Sequence, residues 1–268
     1  MPLNPQRRFV ALRPKPSRPM RKIAGLFMLL ALAATAAAQT EKGNEGHILL
    51  AHFKFAVQVP GGDLSERFGA NQNISAALEW MHKSNWVLGL ESSLLFGTDV
   101  KEDPLAGLRD ENGLLFGDFG EPASVQLRQR GLHLGAYLGR LFPLSAANRR
   151  AGIRITLGAG ILQHRIRIQE DPQVFVSLLT DDYKKGYDRL TQGLALKQFV
   201  GYQYLSKNRR INFFAGLEFE QAFTTSRRDF DFDTMQKDER SRTDLLFGLR
   251  IGWTLPFYLA ENPDEIFY

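Results

Sequence analysis

Three histidines, His52, His133 and His164, are the residues of this sequence most suited to metal binding or acid–base chemistry. Imidazole is a common zinc ligand and a common catalytic base. The three lie far apart in the sequence, without the close spacing of a zinc motif, and there is no cysteine to complete one or to form a disulfide. The pattern favours hydrogen-bonded interior histidines, and no metal or cofactor site is predicted.

A nucleophilic site would need a histidine beside a serine hydroxyl, with an acidic group to orient the ring. His164, with Ser177 or Ser124 in neighbouring predicted loops, is the candidate set. Nothing in the spacing of these residues marks a nucleophile. We therefore predict no catalytic residue, and hydrolytic or acyl-transfer chemistry remains an alternative.

A glycine-containing segment, residues 61–69, could suggest a phosphate-binding loop. Such a loop needs a following helix with a lysine and a serine or threonine. Neither is present, so a folded loop tip is the preferred interpretation. In that loop we expect Arg67 to pair with an acid and Phe68 to act as a plug.

The element that must position these residues is clearest at residues 244–258. Every odd position from Leu245 to Phe257 is large and apolar, whereas most even positions, such as Gly248, Arg250 and Thr254, are small or polar. A period of two predicts a β-strand with one apolar and one polar face. Its length exceeds the ~5–6 residues usual in soluble sheets and suits a membrane-spanning strand.

Seven further segments show the same alternation. They are predicted at 48–59, 73–81, 86–96, 125–142, 152–170, 190–205 and 211–223. Residues 60–63 are expected to stop the first strand, and a break in the alternation near Gln163–Arg165 is interpreted as a β-bulge or as the upper rim. Together with the last segment this gives eight strands, which predicts an all-β, eight-stranded antiparallel up-and-down transmembrane β-barrel.

The connections alternate between long and short. Short turns are predicted at 82–85, 144–149 and 207–208, and long loops elsewhere. This asymmetry is typical of outer-membrane barrels whose short turns face the periplasm, and a soluble sandwich would not need it. Aromatic residues cluster beside the short turns, as a girdle would: Trp80, Trp86, Tyr202, Tyr204, Trp253, Phe257 and Tyr258.

Charged residues dominate the face predicted to point inward. An eight-stranded barrel is just wide enough for side chains to fill it. Because unpaired buried charges are costly, the inward set is expected to form an ion-pair network and to close the lumen to solutes. Its predicted members are Lys54, Glu79, Glu91, Arg154, Lys197, Glu218, Glu220, Asp244 and Arg250.

The long loops carry apolar and aromatic residues in an unusual place. Residues 172–179 form an apolar run, and residues 227–233 mix aromatic residues with both charges. Such runs suggest either a protein partner or packing of the loops over the barrel mouth. The candidate contact residues are Arg67, Phe68, Phe175, Tyr183, Phe230 and Phe232.

The first 38 residues are predicted to be a signal peptide. Arg21–Lys22 precede an uncharged run from Ile23 to Thr35, and Ala36–Ala38 follow; Met20 is an alternative start, which would make 1–19 an upstream extension. These residues hold seven of the 34 basic residues and none of the 29 acidic ones, leaving 27 basic against 29 acidic. The high pI therefore does not indicate a nucleic-acid partner. Residues 39–46 are expected to be flexible, 47–258 to form the barrel and 259–268 a periplasmic tail.

The leader, the alternating strands and the loop asymmetry together resemble the OmpX/OmpA-type small outer-membrane barrels, and among these the PorT-like group. The resemblance covers residues 47–258, and it is one of pattern, without a catalytic motif. It implies an outer-membrane protein in contact with lipid, and for the PorT-like group a role in protein secretion. We expect a structural or accessory subunit of an envelope assembly; a lipid-modifying enzyme and a narrow channel are the alternatives.

Overall fold

The computed structural model describes residues 46–170, 174–207 and 210–258. The predicted signal peptide, the tail at 259–268 and Asn208 of the third predicted short turn lie outside the described residues. So does the predicted flexible N-terminus, apart from Gly46. No helix in the described ranges is long and apolar enough to cross a membrane.

Eight long strands close into a ring in which every neighbouring pair is antiparallel. Neighbours in the ring follow one another along the chain, and the first strand pairs with the last. The predicted eight-stranded up-and-down barrel is therefore confirmed. The ring consists of β1 Ile48–Gly62, β2 Asn71–Met81, β3 Trp86–Gly97, β6 Val125–Pro143, β7 Ala151–Glu170, β8 Thr191–Leu205, β9 Asn212–Ser226 and β10 Ser241–Tyr258.

The remaining elements lie in the long loops at one end of the ring. The second long loop holds a small hairpin, β4 Leu115–Phe116 with β5 Pro122–Ala123, and a 3-10 turn at Ala106–Leu108. The first holds helix α1, Leu64–Arg67, and the third holds a 3-10 turn at Ser177–Leu179 and helix α2, Asp181–Lys184. We call these loops, with the fourth at 227–240, the loop cap.

The short turns lie at the opposite end and are tied together. Asn85 adopts a φ of 67°, in the left-handed region that asparagine tolerates. Arg150 is almost fully buried and donates to Asn85 Oδ1 at 2.6 Å and to the His82 carbonyl at 2.9 Å. One guanidinium therefore joins two of the three short turns.

The alternation read from the sequence sorts the side chains as expected. On β10, Phe247, Leu249 and Ile251 are exposed on the outside, whereas Arg250 and Thr254 are buried inside. Charged and polar residues thus fill the interior, and large apolar residues cover the outside. A soluble protein shows the reverse distribution, and a barrel in lipid requires this one.

The bulge considered at residues 163–165 is wrong. The register of β6 with β7 is continuous, with Leu132 opposite Gln163 and Arg130 opposite Arg165. The polarity of the two faces exchanges above Ile161: outward residues become polar and inward residues such as Ile166 become apolar. This exchange changes the sequence pattern although the strand pairing is regular. The interpretation as the upper rim is the one that agrees with the structure.

Pro60 does not end the first strand. β1 continues to Gly62 and pairs there with β10, with Pro60 opposite Leu246. Pairing with β2 has already ended at Gln58. The strand is therefore a local edge at Pro60, and a missing N–H is tolerated at an edge.

Apolar side chains close the interior at two levels. A lower plug lies at the short-turn end and an upper plug at the loop end. The lower plug contains Ile48, Leu50, Met81, Val87, Leu141 and Leu205. The upper plug contains Leu64, Phe68, Leu95, Leu162, Ile166, Ala195, Ala222 and Leu246. The polar residues of the lumen lie between them.

Candidate functional site

Glu91 on β3 is the centre of the lumen. Its carboxylate lies 2.5 Å from Lys54 Nζ of β1 and 3.1 Å from Lys197 Nζ of β8. Arg250 of β10 adds a two-pronged contact at 3.1 and 3.2 Å. One carboxylate therefore holds cations from three strands, and all four side chains are buried.

A second group surrounds Glu79 on β2. Arg154 pairs with both of its carboxylate oxygens, and Tyr137 donates to it at 2.8 Å. Arg154 also donates to Gln203 Oε1 at 2.6 Å. His52 lies 3.5 Å from the same carboxylate. The hydrogen bonds of Glu79 thus join β2 to β6 and β7 across the barrel interior.

Glu218 and Glu220 on β9 complete the layer. Arg250 pairs with Glu218, to which Gln58 donates at 2.8 Å, and Lys197 lies 3.0 Å from Glu220. The layer then holds four cations and four carboxylates. A balanced buried set is the arrangement that avoids an uncompensated charge.

Aromatic rings fill the space between these ion pairs. Lys54 lies 4.9 Å from the ring centre of Tyr137, and Arg154 lies 5.4 Å from that of Phe214. A Cβ atom added at Gly89 would clash with the Tyr137 ring, and one at Gly252 would clash with Phe214. The central cavity that remains is about 20 Å³, which is room for about one water molecule.

Asp244 lies apart from this layer, unlike the other eight predicted lumen residues. It accepts hydrogen bonds from His164 Nε2 at 2.8 Å and Thr224 Oγ1 at 2.6 Å, beside Phe68 of the upper plug. The sequence places Asp244 correctly on the inward face. On β10 the buried Leu246 of the upper plug lies between Asp244 and Arg250, so Asp244 is separated from the cations of the layer below.

The His164 site is not arranged for nucleophilic catalysis. In a triad the histidine lies between the acid and the hydroxyl, but here Asp244 lies between His164 and Thr224. Ser177 belongs to the loop cap, where its backbone N–H donates to Asp118 at 3.0 Å, and Ser124 is exposed. His164 itself is buried inside the barrel.

The histidines do not converge either. His52 bonds Thr254 at 2.8 Å, and His133 lies 3.4 Å from Lys197. Within the ranges that the structure describes, no group of three or more histidine, aspartate or glutamate side chains could hold a metal ion.

The loop cap has a carboxylate centre of its own at Glu102, which the sequence did not indicate. Glu102 lies 2.6 Å from Arg67 and 2.7 Å from Arg189, and Arg189 also reaches Asp231 at 2.9 Å and Asp233. Burial alone would raise the pKa of Glu102, but the two guanidiniums outweigh it and hold this pKa below its usual value. Likewise, burial alone would lower the pKa of Arg189, but its hydrogen bonds to Asp233 and Glu102 raise it.

The loop cap also contains an apolar cluster, which we call the loop cluster. It contains Leu105, Leu115, Ala123, Ile168, Val176, Leu179 and Tyr187. Phe232 is half-buried against it, with ring centres 5.5 Å from Tyr187 and 5.9 Å from Tyr183. Three of the long loops therefore pack on one another, which accounts for part of the apolar run at 174–179.

The six candidate contact residues divide into two groups. Arg67 and Phe68 are buried in the cap and the upper plug, so they cannot meet a partner, and Phe232 is half-buried. Phe175, Tyr183 and Phe230 remain 58%, 48% and 42% exposed. The sequence missed Phe119, which is 87% exposed beside Phe175 in the cap.

The side chains on the outer wall indicate the surroundings in which the barrel is stable. Outward apolar side chains cover every strand of the ring, as with Phe55, Leu90, Leu157, Leu217 and Leu249. Only a closed barrel with internally paired backbone can present such a surface to lipid. The chain folds as a closed eight-stranded antiparallel barrel with an apolar outer wall.

No family model matches the chain, and no curated protein matches it. Among solved structures, Neisserial surface protein A is similar at 12% identity and a TM-score of 0.40, covering 80% of this chain and all of that one. Ail of Yersinia pestis is 10% identical with a TM-score of 0.37, covering 78% of this chain and 99% of that one. The N-terminal barrel of Pseudomonas aeruginosa OprF is 10% identical with a TM-score of 0.33, covering 80% and 99%.

Proposed function

We propose that this chain is an integral outer-membrane barrel that serves as a structural or accessory subunit of an envelope assembly, such as a protein-secretion complex. It acts through its loop cap, where it binds a protein partner, and not through its lumen. The observation that carries the proposal is the contrast between a lumen filled by ion pairs and a cap that exposes large apolar side chains.

One exposed apolar area of the cap, which we call the tip patch, consists of Phe119, Phe175 and Leu178. Their side chains are 87%, 58% and 46% exposed. Asp118 joins their two loops by donating its N–H to the Phe175 carbonyl at 3.0 Å and accepting from Ser177 N–H at 3.0 Å. An apolar surface held in place by hydrogen bonds is suited to contact with another protein.

The orientation follows from the two ends of the ring. The short turns and both barrel termini lie at one end, and the loop cap lies at the other. In outer-membrane barrels the long loops face outside. A tag in 98–124 or 227–240 should then be labelled on intact cells and a tag at 144–149 should not; the reverse pattern would contradict this orientation.

Affinity purification in mild detergent tests the function. We expect a stoichiometric protein to co-purify with the wild-type barrel and to be lost from a Phe119→Asp/Phe175→Asp variant. Leu144→Asp is the matched control, because Leu144 is 68% exposed at the short-turn end. The variant should keep its heat-modifiable shift on gels, which reports an intact barrel.

Two results would contradict the proposal. One is a barrel that purifies alone from its native membrane. The other is a partner that stays bound to the tip-patch variant but is released by Leu144→Asp. A change in membrane lipid mass on deletion of the gene would favour a lipid-modifying enzyme, with His164 as the first residue to replace.

A further inference from the structure

The β6–β7 hairpin carries four arginines in a two-by-two ladder on its outer face. Arg128 lies opposite Arg167, and Arg130 lies opposite Arg165. A rung of two glutamines, Gln126 and Gln169, lies above them. We call the four arginines the arginine ladder.

The ladder is forced outward by the packing of its inward neighbours. Ile166 belongs to the upper plug and Ile168 to the loop cluster, and Leu127 packs against both. Because successive side chains of a strand point to opposite faces, the arginines between these residues must face away from the barrel. The β6–β7 hairpin also extends above the ends of the two neighbouring strands. β3 ends at Gly97, opposite Gln129, and β8 begins at Thr191, opposite His164.

Few acidic groups neutralise this charge. In the described parts of the chain no carboxylate lies within ion-pair distance of Arg128, Arg130 or Arg167. Arg165 lies 3.6 Å from Asp188, whose two oxygens already accept from Arg228 at 2.6 and 2.8 Å. Like charges directly opposite on a sheet destabilise it, so the ladder is unfavourable without an external anion.

The height of the ladder indicates which anion. Two rungs below Arg130 and Arg165 lie Leu134 and Ile161, both about half exposed on the apolar outer wall. Phe96 of β3, opposite Arg130, continues that wall on the other side. Leu132, one rung below Arg130, is the last apolar residue on the outer face of β6. Measured along the strands, Arg130 and Arg165 lie roughly 7 Å above that rung and Arg128 and Arg167 roughly 14 Å above it, since a strand rises ~3.4 Å per residue. In a membrane this is the level of the lipid headgroups.

We propose that the arginine ladder binds the phosphate groups of outer-leaflet lipid. The inference rests on the membrane placement and orientation proposed above. A guanidinium binds phosphate in a bidentate manner. Because the Cβ atoms of cross-strand neighbours lie ~4.5–5.5 Å apart, two arginines of one rung can bind the same phosphate. Two rungs suit a headgroup with two phosphates, or two neighbouring lipids.

The test uses the full folded barrel in nonionic detergent and a short-chain phosphatidic acid as the probe. Titration should give saturable binding to the wild-type protein. Replacing all four residues, Arg128→Gln, Arg130→Gln, Arg165→Gln and Arg167→Gln, should raise the dissociation constant at least ~10-fold, since each cation near an anionic surface contributes severalfold.

The matched control removes the same number of exposed cations from the loop cap: Lys185→Gln, Arg227→Gln, Lys237→Gln and Arg240→Gln. It should change the dissociation constant less than ~2-fold, because these residues lie off the hairpin. An equal loss in both variants would mean general attraction by net charge and would overturn the proposal.

Inorganic phosphate and phosphatidylcholine distinguish the sources of the anion. Lipid binding that inorganic phosphate does not displace supports a headgroup site at the membrane surface. Displacement at matched concentrations would mean a site for soluble phosphate, and equal affinity for phosphatidylcholine would mean that the charge is not recognised. Either result overturns the proposal.

Failure of the ladder is distinguishable from failure of the membrane placement. Reconstituted into phosphatidylcholine vesicles, both quadruple variants should insert and protect their strands from protease. A wild-type barrel that inserts but binds phosphatidic acid no better than phosphatidylcholine refutes only the proposed lipid binding by the arginine ladder. A wild-type protein that does not insert refutes the membrane placement, and with it the proposal.

Discussion

Two glutamates organise two different regions of this molecule. Glu91 holds Lys54, Lys197 and Arg250 in the lumen, and Glu102 holds Arg67 and Arg189 in the loop cap. The Glu91 side chain is 4% exposed and that of Glu102 is 30% exposed. The first is fixed by strands paired on both sides and the second by irregular loops. The ion pairs of Glu91 and those of Glu102 should therefore contribute very different amounts to the free energy of unfolding.

The largest effect should come from Glu91→Gln. It leaves three buried cations sharing fewer carboxylates, and breaking a buried pair costs about 3–5 kcal/mol. A urea titration followed by the heat-modifiable gel shift should move to lower urea by the corresponding amount. Glu239→Gln, which removes a surface pair with Lys237 at 3.7 Å, should cost at most about 1 kcal/mol. Equal midpoints for the two variants would show that the lumen is hydrated.

Phe68→Ala should come next. Phe68 is fully buried in the upper plug, and removing a core phenylalanine leaves a cavity, with a cost of about 3 kcal/mol. The same titration measures it, with Phe119→Ala as the control because that ring is 87% exposed. An unchanged midpoint for Phe68→Ala would mean that the first loop can leave the barrel without loss.

Glu102→Gln should have a smaller effect, roughly 1–2 kcal/mol, since solvent partly screens its pairs. The loss should be confined to the cap: proteolysis at 98–124 should speed up while the urea midpoint of the barrel stays near the wild-type value. Glu111→Gln, an exposed change in the same loop, is the control. A barrel that unfolds with Glu102→Gln would show that cap and lumen form one cooperative unit.

Acid should also loosen the cap before the barrel. The pKa of Glu102 lies below its ordinary value. Burial alone would raise the pKa of Asp238, but the hydrogen bonds that it accepts from Arg242 and Arg240 outweigh burial and lower this pKa to about 2. Depressed carboxyl pKa values stabilise the fold above the unfolded values of ~4, and this stabilisation is lost as pH falls through the folded values.

We therefore expect hydrogen exchange at 227–240 to accelerate between pH 4 and about 2, while the barrel keeps its gel shift. Asp238→Asn should remove most of this dependence, whereas Asp229→Asn, an exposed neighbour, should preserve it. Exchange that is flat over this range in the wild type would show that the pairs of Asp238 do not hold the loop.

The smallest effect concerns conduction, where we expect none. The lumen keeps a cavity of only about 20 Å³, so planar-bilayer recordings should lack stable large steps. Phe68→Ala should be equally silent, because the ion-pair layer below it is intact. Steps in that variant alone would mean that the upper plug, and not the ion pairs, is the seal; steps in both would favour a channel.

The contrast between the two regions also decides what could be predicted from sequence. A period of two reveals which side chains face inward, so Lys54, Glu91 and Arg250 could be placed in one lumen without knowing any distance. Arg189 and Glu102 are 87 positions apart in two irregular loops, and no periodicity relates them. Arg67 was expected to find an acid, but which acid depended on how the loops fold.

The apolar plugs escaped prediction for a different reason. An inward Leu50, Leu95 or Leu246 breaks the alternation that identifies a membrane strand, so each looks like an imperfection. The same exchange of polarity on β7 suggested a bulge where the pairing is regular. In each case the local period was intact, and what changed was the environment at that height of the barrel.

The three cations around Glu91 have a consequence for the order in which the barrel assembles. Lys54 belongs to the first strand, Lys197 to the sixth strand of the ring and Arg250 to the last. Their common carboxylate cannot be fully satisfied while any of these strands is missing. A partly inserted sheet therefore carries unmatched charge on its inner face, which keeps it hydrated and higher in free energy. Docking of the last strand completes the charge balance and the ring together, so closure should be a single late step and not a gradual accumulation of hairpins.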